Sequence, residues 1–103
     1  MKRKGVFITI RGIVSKIPKG KVTTYGDIAK SLRLESARTV GWAVMGNQDS
    51  NIPCHRVVKK DGYLAKNYSL GGWDEQKKRL KCEGVNFIKK YQVDLKKHYW
   101  KIS

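Results

Sequence analysis

The run Asn51-Ile52-Pro53-Cys54-His55-Arg56-Val57-Val58 holds the residue types best able to do chemistry in this chain. A thiol is nucleophilic as the thiolate, and neighbouring positive charge favours that form. Cys54 stands beside a histidine and an arginine, a setting that favours the thiolate. Pro53 restrains the backbone just ahead of it. The segment reads as extended or irregular. In an extended run successive side chains point to opposite faces, so a direct Cys54–His55 hydrogen bond is awkward. His55 would then reach the thiol through a bridging water. The plainer alternatives are a buried, inert cysteine and a satisfied core histidine.

Cys82 is the other cysteine. There is no Cys-x-x-Cys and no histidine pair at metal spacing, so no structural metal site is expected. Nothing suggests a secreted disulfide framework, and both thiols are read as free.

Charge narrows the partner. The formal net charge is +15 across 103 residues. Such an excess attracts a polyanion, and neutralising phosphates releases counterions from nucleic acid. The competing explanation is a generally basic composition serving solubility. An apolar share of 40% supports one folded domain over residues 1–103. No run approaches the ~18 apolar residues that a membrane span needs. Basic Met1-Lys2-Arg3-Lys4 is followed by no long apolar stretch, so no signal peptide is expected. A cytoplasmic, nucleoid-associated protein without membrane contact is the expectation.

The elements that must position these residues are mostly helical. Val6, Ile10, Ile13, Val14 and Ile17 form one helical stripe, ended by Pro18-Lys19-Gly20. Thr24-Tyr25-Gly26-Asp27 reads as a capping box opening a short helix through Ile28, Ala29 and Leu32. Ser36 caps a further helix from Ala37 to about Met45. Two short helices joined by a tight turn in a basic chain suggest a helix-turn-helix. On the later helix Val40 and Val44 face the core, while Arg38, Trp42 and Met45 share another face. Arg38 lies in the first turn, where a cation gains nothing from the helix dipole. An external anion or base explains it, as does simple solvation. Trp42 is expected in the core because of its size, although its face would otherwise meet DNA. Val57-Val58 suggests a strand and Asp61-Gly62 a turn. Gly71-Gly72 is a break, Trp73 to Glu83 a helix stopped by Gly84, and Phe87 to Leu95 a strand pair or extended tail. Glu83, in the last turn of its helix, opposes the helix dipole. Orienting His55 would compensate, as would a pair with a nearby Lys or Arg. The fold class is therefore mainly α with a small β element, a winged-helix-like helix-turn-helix.

Pro53-Cys54-His55-Arg56-Val57-Val58 resembles the active-site signature of the O6-alkylguanine-DNA alkyltransferases. The flanks resemble the family in order and spacing. Ile17-Pro18-Lys19-Gly20-Lys21-Val22 and Thr24-Tyr25-Gly26-Asp27-Ile28-Ala29 look like its approach to the helix-turn-helix. Ala37-Arg38-Thr39-Val40-Gly41 looks like its recognition helix, and Asp61-Gly62 and Glu83-Gly84 match later landmarks. The resemblance covers roughly residues 5–86. It implies irreversible transfer of an alkyl group from guanine O6 in double-stranded DNA to Cys54, without cofactor. His55 would deprotonate Cys54 through a water, held by Glu83, and Tyr25 would supply a proton to the departing guanine. Arg38 would fill the gap left by the flipped nucleotide. Thr24, Ala37 and Trp42 would join it at a minor-groove interface. Asn47 would be a buried hinge, and Pro53, Arg56, Val58 and Ser69 would shape the pocket, Ser69 donating to O6.

Three departures qualify the resemblance. The chain reads as the catalytic and DNA-binding domain without the family's N-terminal α/β domain. In Asn67-Tyr68-Ser69-Leu70-Gly71-Gly72 the glycine pair does not follow Ser69 directly, so Leu70 looks inserted. The short length and the Leu95–Trp100 segment resemble the alkyltransferase-like proteins. Those bind alkylated DNA without transfer, flag it for excision repair, and replace the reactive cysteine, commonly by Trp or Ala. A non-catalytic sensor is thus the alternative, and Cys54, His55 and Glu83 together speak for transfer. A plain helix-turn-helix regulator would read a two-fold site in the major groove. No dimer helix is evident, and a monomer is expected.

Overall fold

A computed structural model describes residues 3–66, 68 and 70–102. The expected helices and strand pair are present, in the order α1 (Arg3–Val14), β1 (Thr23–Thr24), α2 (Tyr25–Ser31), α3 (Ala37–Met45), β2 (Val57–Val58), α4 (Gly72–Cys82), β3 (Phe87–Lys89), β4 (Gln92–Val93) and α5 (Leu95–His98). The architecture is mainly helical with two small sheets. No described helix is long and apolar enough to cross a membrane.

The stripe on α1 buries Val6, Ile10 and Val14. The helix stops at Val14, earlier than Pro18-Lys19-Gly20 would stop it. Lys16 N–H and Ile17 N–H tighten onto the carbonyls of Ile13 and Val14, at 3.0 and 3.1 Å, and this last turn delivers Ile17 into the core.

At the head of α2, Thr24 Oγ1 accepts from Asp27 N–H at 3.1 Å and donates to the Asp27 carboxylate at 2.8 Å. A cap of this kind contributes about 1 kcal/mol. The helix ends in a Schellman pattern. Leu34 N–H bonds the Ala29 carbonyl, and Arg33 N–H bonds that of Lys30. Arg33 occupies the left-handed position with φ 56°, where glycine is usual. The turn leads to Ser36, whose hydroxyl accepts from Arg38 N–H at 3.0 Å and caps α3. Val40, Ala43 and Val44 turn inward, and α2 and α3 pack as a helix-turn-helix.

β1 pairs in parallel with β2, Thr23 opposite Val57 and Thr24 opposite Val58. This short ladder holds the start of α2 beside the segment that carries Cys54. Successive residues of a strand face opposite ways. Val57 accordingly joins the core of α1, α2 and α3, and Val58 a second core of Val22, Leu64, Leu80, Val85 and Val93.

The wing is the antiparallel β3–β4 hairpin. Leu64 N–H bonds the Tyr91 carbonyl and Val93 N–H bonds that of Gly62, both at 2.9 Å. Gly62 has φ +91°, and a Cβ there would lie 2.6 Å from the Val93 carbonyl oxygen. Only glycine allows this approach.

Candidate active site and nucleic-acid interface

The segment around Cys54 is not extended. Ile52 C=O accepts from Cys54 N–H at 2.8 Å across Pro53, whose φ of −78° and ψ of 62° are those of an inverse γ-turn. Cys54–Arg56 then forms one 3-10 turn before β2. The proline ring favours this φ, and the turn replaces the strand-like run that alternation would give. No hydrogen bond joins Cys54 to His55 among the described residues.

His55 Nε2 lies 2.9 Å from Glu83 Oε2. Arg56 holds the same carboxylate with a fork, Nε to Oε1 at 3.0 Å and Nη2 to Oε2 at 2.6 Å. Its Nη1 donates to the Ile17 carbonyl at 2.7 Å. Glu83 is the C-cap residue of α4, and Gly84 at φ +87° ends the helix. The charge misplaced with respect to the helix dipole is therefore compensated by both groups considered for it, the histidine and an arginine.

Burial would raise the Glu83 pKa, but the hydrogen bonds and charges of Arg56 and His55 outweigh it and hold it below its ordinary 4.5. Burial lowers the His55 pKa below 6.5, only partly offset by Glu83. Both shifts act in one direction on stability. As pH falls below 6.5 the unfolded chain takes up a proton that folded His55 refuses. Below 4.5 the unfolded chain protonates its glutamate before folded Glu83 does. The stability these groups contribute is complete above 6.5 and lost progressively as pH falls through both folded values. The unfolding midpoint measured from pH 7 to 4 should drop, and between 6.5 and 4.5 the drop should be steeper in Glu83→Gln, which removes the group that raises the His55 pKa.

The thiol departs from the electropositive expectation. Cys54 is 0% exposed. Burial pushes its pKa up to about 11, against the lowering effects of an Asn47 hydrogen bond and the Arg11 charge. The adjacent Arg56 is committed to Glu83 and Ile17, so desolvation wins and the resting group is a thiol. Asn47 is buried just past α3, and its side chain also clasps Asp49 through bonds of 2.8 and 3.1 Å.

Two positioning groups escaped the sequence reading. Arg11, on α1, donates to the Ala43 carbonyl at 3.1 Å and supplies positive charge to Cys54. Nothing local marks it. Gln76 is fully buried on α4. Its amide nitrogen donates to the carbonyls of His55 and Val57, both at 3.1 Å, and its oxygen accepts from Ala65 N–H at 3.2 Å. A polar residue on the stripe of Trp73 and Leu80 was the available signal.

An open cleft of about 650 Å³ lies against α3, lined among others by Tyr25, Ala37, Arg38, Met45, Lys60 and Ala65. Arg38 is exposed in the first turn of α3 and enters no ion pair among the described residues. Trp42 is 45% exposed, which corrects its expected place in the core. Packing from α1 and α2 reaches Val40, Ala43 and Val44 and leaves Trp42 on the outer face. Thr24 is buried, and its hydroxyl is engaged in the helix cap. Pro53 and Val58 are buried under the site. Ser69 lies outside the described residues. Leu70 packs partly against the first core, and the following Gly71 and Gly72 absorb the chain reversal at φ +125° and +76°.

Tyr25 connects cleft and thiol. Its pKa is pushed up to about 12, first by burial and then by the charges of Cys54 and Tyr68. Cys54 itself does not line the cleft. Among the described residues no group of three His, Cys, Asp or Glu could hold a metal ion.

Residues 7–85 match the profile of the family described as 6-O-methylguanine DNA methyltransferase, DNA binding domain. Alkyltransferase-like protein 1 of Schizosaccharomyces pombe is 34% identical over 107 residues, covering 98% of this chain and 99% of that protein. The methylated-DNA–protein-cysteine methyltransferase of Archaeoglobus fulgidus is 46% identical over 76 residues, or 70% of this chain and 51% of that protein. A crystal structure of the S. pombe alkyltransferase-like protein in complex with damaged DNA containing O6-carboxymethylguanine aligns with a TM-score of 0.86 and 33% identity, over 98% and 99% of the two chains. The chain thus spans nearly all of the S. pombe protein and about half the length of the methyltransferase.

Proposed function

This chain belongs to the 6-O-methylguanine DNA methyltransferase family, and from that premise we propose that it binds duplex DNA carrying O6-alkylguanine and takes the alkyl group onto Cys54. The observation that supports transfer most directly is a buried Cys54 followed in sequence by His55, whose Nε2 lies 2.9 Å from Glu83. The cysteine is what the alkyltransferase-like pattern replaces, and this chain keeps it.

Inside a duplex the alkyl carbon on O6 is out of reach of the thiol, so the nucleotide must leave the stack. Arg38, at the head of α3, fills the gap, and the base enters by the cleft past Tyr25 toward the buried Cys54. Glu83 accepts from His55 Nε2–H, which leaves the Nδ1 lone pair to take the thiol proton through a water. The sulfur attacks the alkyl carbon, the S–C bond forms and the C–O bond breaks with its electron pair going to guanine. Tyr25 gives the guanine anion a proton. Burial first and the Cys54 thiolate second raise the Tyr25 pKa, and alkylation removes the second of these; the phenolate left behind is reprotonated by the proton that His55 took from the thiol. The thioether is stable, and each molecule reacts once.

The test is the intact mass of the protein before and after mixing with O6-methylguanine duplex. One methyl group gained per chain, mapped to Cys54, is the expected result. A lesion sensor without transfer is the second reading, favoured by alignment with the S. pombe alkyltransferase-like protein along nearly its whole length. Selective binding by reduced protein with no mass gain would establish that reading instead.

Arg38→Ala separates extrusion from chemistry. Extrusion costs a few kcal/mol. Loss of about 1.4 kcal/mol of compensation would slow repair of duplex about tenfold. Reaction with the free modified base should change less than about twofold on the same scale. Single-turnover rates with both substrates check this, and equal slowing would remove Arg38 from the flipping step.

A further inference from the structure

The wing carries a second charged surface that the alkyl-transfer site does not use. Trp73 and Tyr91 stack with ring centroids 3.9 Å apart and planes 9° from parallel. Ammonium groups stand around this pair. Lys66 Nζ lies 5.9 Å from the Trp73 ring, and Lys77 and Lys90 lie 5.6 and 5.4 Å from that of Tyr91. Lys77 also sits 5.2 Å from Phe87. Among the described residues one carboxylate is bonded to the cluster, that of Asp74, which accepts from the Tyr91 hydroxyl at 2.6 Å. No ion pair among the described residues engages Lys66, Lys77 or Lys90. Ring faces attract cations without cancelling their charge, so this cluster holds several lysines close together and leaves them positive.

The cluster is tied to the loop that lines the cleft. Lys60 and Ala65 line the cleft, Lys66 follows directly in sequence, and the Leu64–Tyr91 hydrogen bond fixes the hairpin to the same loop. Lys89 and Lys90 extend it as exposed residues.

We infer that the Trp73–Tyr91 stack and its lysines form a phosphate track on the wing, which grips the sugar-phosphate backbone of duplex DNA flanking the damaged site. The occupant is a polyanion because the surface is cationic, and it is the same duplex because the loop that lines the cleft also carries Lys66 and is bonded to the hairpin. Like-charged lysines kept at fixed places around a rigid aromatic pair are suited to a regular row of phosphates, which carry one charge per roughly 1.7 Å of duplex axis. The aromatic rings act as a scaffold for the ammonium groups, so the track reads no sequence. The inference rests on the DNA-binding half of the proposed function and not on alkyl transfer.

The test uses the full chain and the triple variant Lys66→Gln/Lys77→Gln/Lys90→Gln. Binding is measured on O6-methylguanine duplexes of about one and about three helical turns, each across a salt series. The wild type should bind the longer duplex more tightly. The variant should lose about tenfold on the longer duplex, with its salt slope flattened by about 0.9 for each phosphate contact removed. Short-duplex affinity and methyl uptake from the short duplex should stay unchanged. Lys66→Arg/Lys77→Arg/Lys90→Arg, which keeps the charges, should retain long-duplex binding. Equal affinity of the wild type for both lengths would overturn the track. So would a triple Gln variant with an unaltered salt slope, or one that weakens equally on both lengths. Length- and salt-dependent binding without lesion preference would sink the functional reading while supporting the track.

Discussion

Replacing Cys54 by Ala should reduce methyl uptake from O6-methylguanine duplex to zero while the protein still folds and still binds the lesion. The effect on transfer is absolute because the acceptor atom is gone and the other cysteine, Cys82, is an exposed α4 residue. The effect on folding is modest. Cys54 is wholly buried among the residues of the first core, so its truncation leaves a void about the size of one heavy atom. That costs about 1 kcal/mol, or a fall of roughly 4–8 °C in Tm for a domain of this size. Affinity for damaged duplex should stay within about threefold, less than 1 kcal/mol. Intact mass, a thermal melt and a binding isotherm on one preparation check all three. Methyl uptake that persists in the variant would reassign the acceptor.

Glu83 carries the second large effect, because one carboxylate serves two neighbours. It takes the Arg56 fork on both oxygens and the His55 Nε2 contact on one of them. The side chains of His55, Glu83 and Arg56 are only 11%, 13% and 16% exposed. Glu83→Ala strands the guanidinium with the Ile17 carbonyl as its remaining partner and frees the imidazole. Removing one partner of a buried pair costs about 3–5 kcal/mol. This would consume a large part of the ~5–15 kcal/mol that stabilises a typical domain. Glu83→Gln is the sharper probe of chemistry. If its oxygen keeps Arg56, its amide N–H₂ faces His55 and demands a lone pair on Nε2. The ring proton then moves to Nδ1, and the imidazole can no longer accept from the thiol. Transfer should fall by roughly 10²–10⁴-fold, the usual worth of a general base. The stability loss should be smaller than in the alanine variant. Single-turnover transfer and urea unfolding on both variants test this. A glutamine variant that transfers at the full rate would reduce the His55–Glu83 contact to a structural role.

What could be read from the sequence was local in its physics. Thr24 and Ser36 as helix caps, the span from Ala37 to Met45 and the stop at Gly84 all rest on residues within a few positions of one another. The pairing of Glu83 with His55 was reachable because its position at a helix C-terminus breaks a simple electrostatic rule. Other features depended on which distant segments pack together. Arg11 reaches Cys54 from the first helix, and Gln76 reaches His55 and Val57 from the fourth. Trp42 is turned outward because the cores reach its neighbours and not it. The 3-10 turn at Cys54 is a subtler case. Pro53 limited the backbone, but the choice of turn over strand followed from closing the loop between α3 and β2. The state of the thiol followed from that burial, and proximity of Arg56 in sequence misled about its charge.

The depth of Cys54 has a consequence for how such a molecule survives in a cell. An alkyl acceptor of the kind proposed for Cys54 is consumed only once and must not be spent on bystanders. Oxidants and small electrophiles react with exposed thiolates, and this thiol is neither exposed nor ionised at rest. Exposed Cys82 stands nearer to such agents. In that proposed role, the desolvation that makes Cys54 a poor nucleophile in isolation acts as a safety catch, preserving it until an alkylated guanine supplies the leaving group.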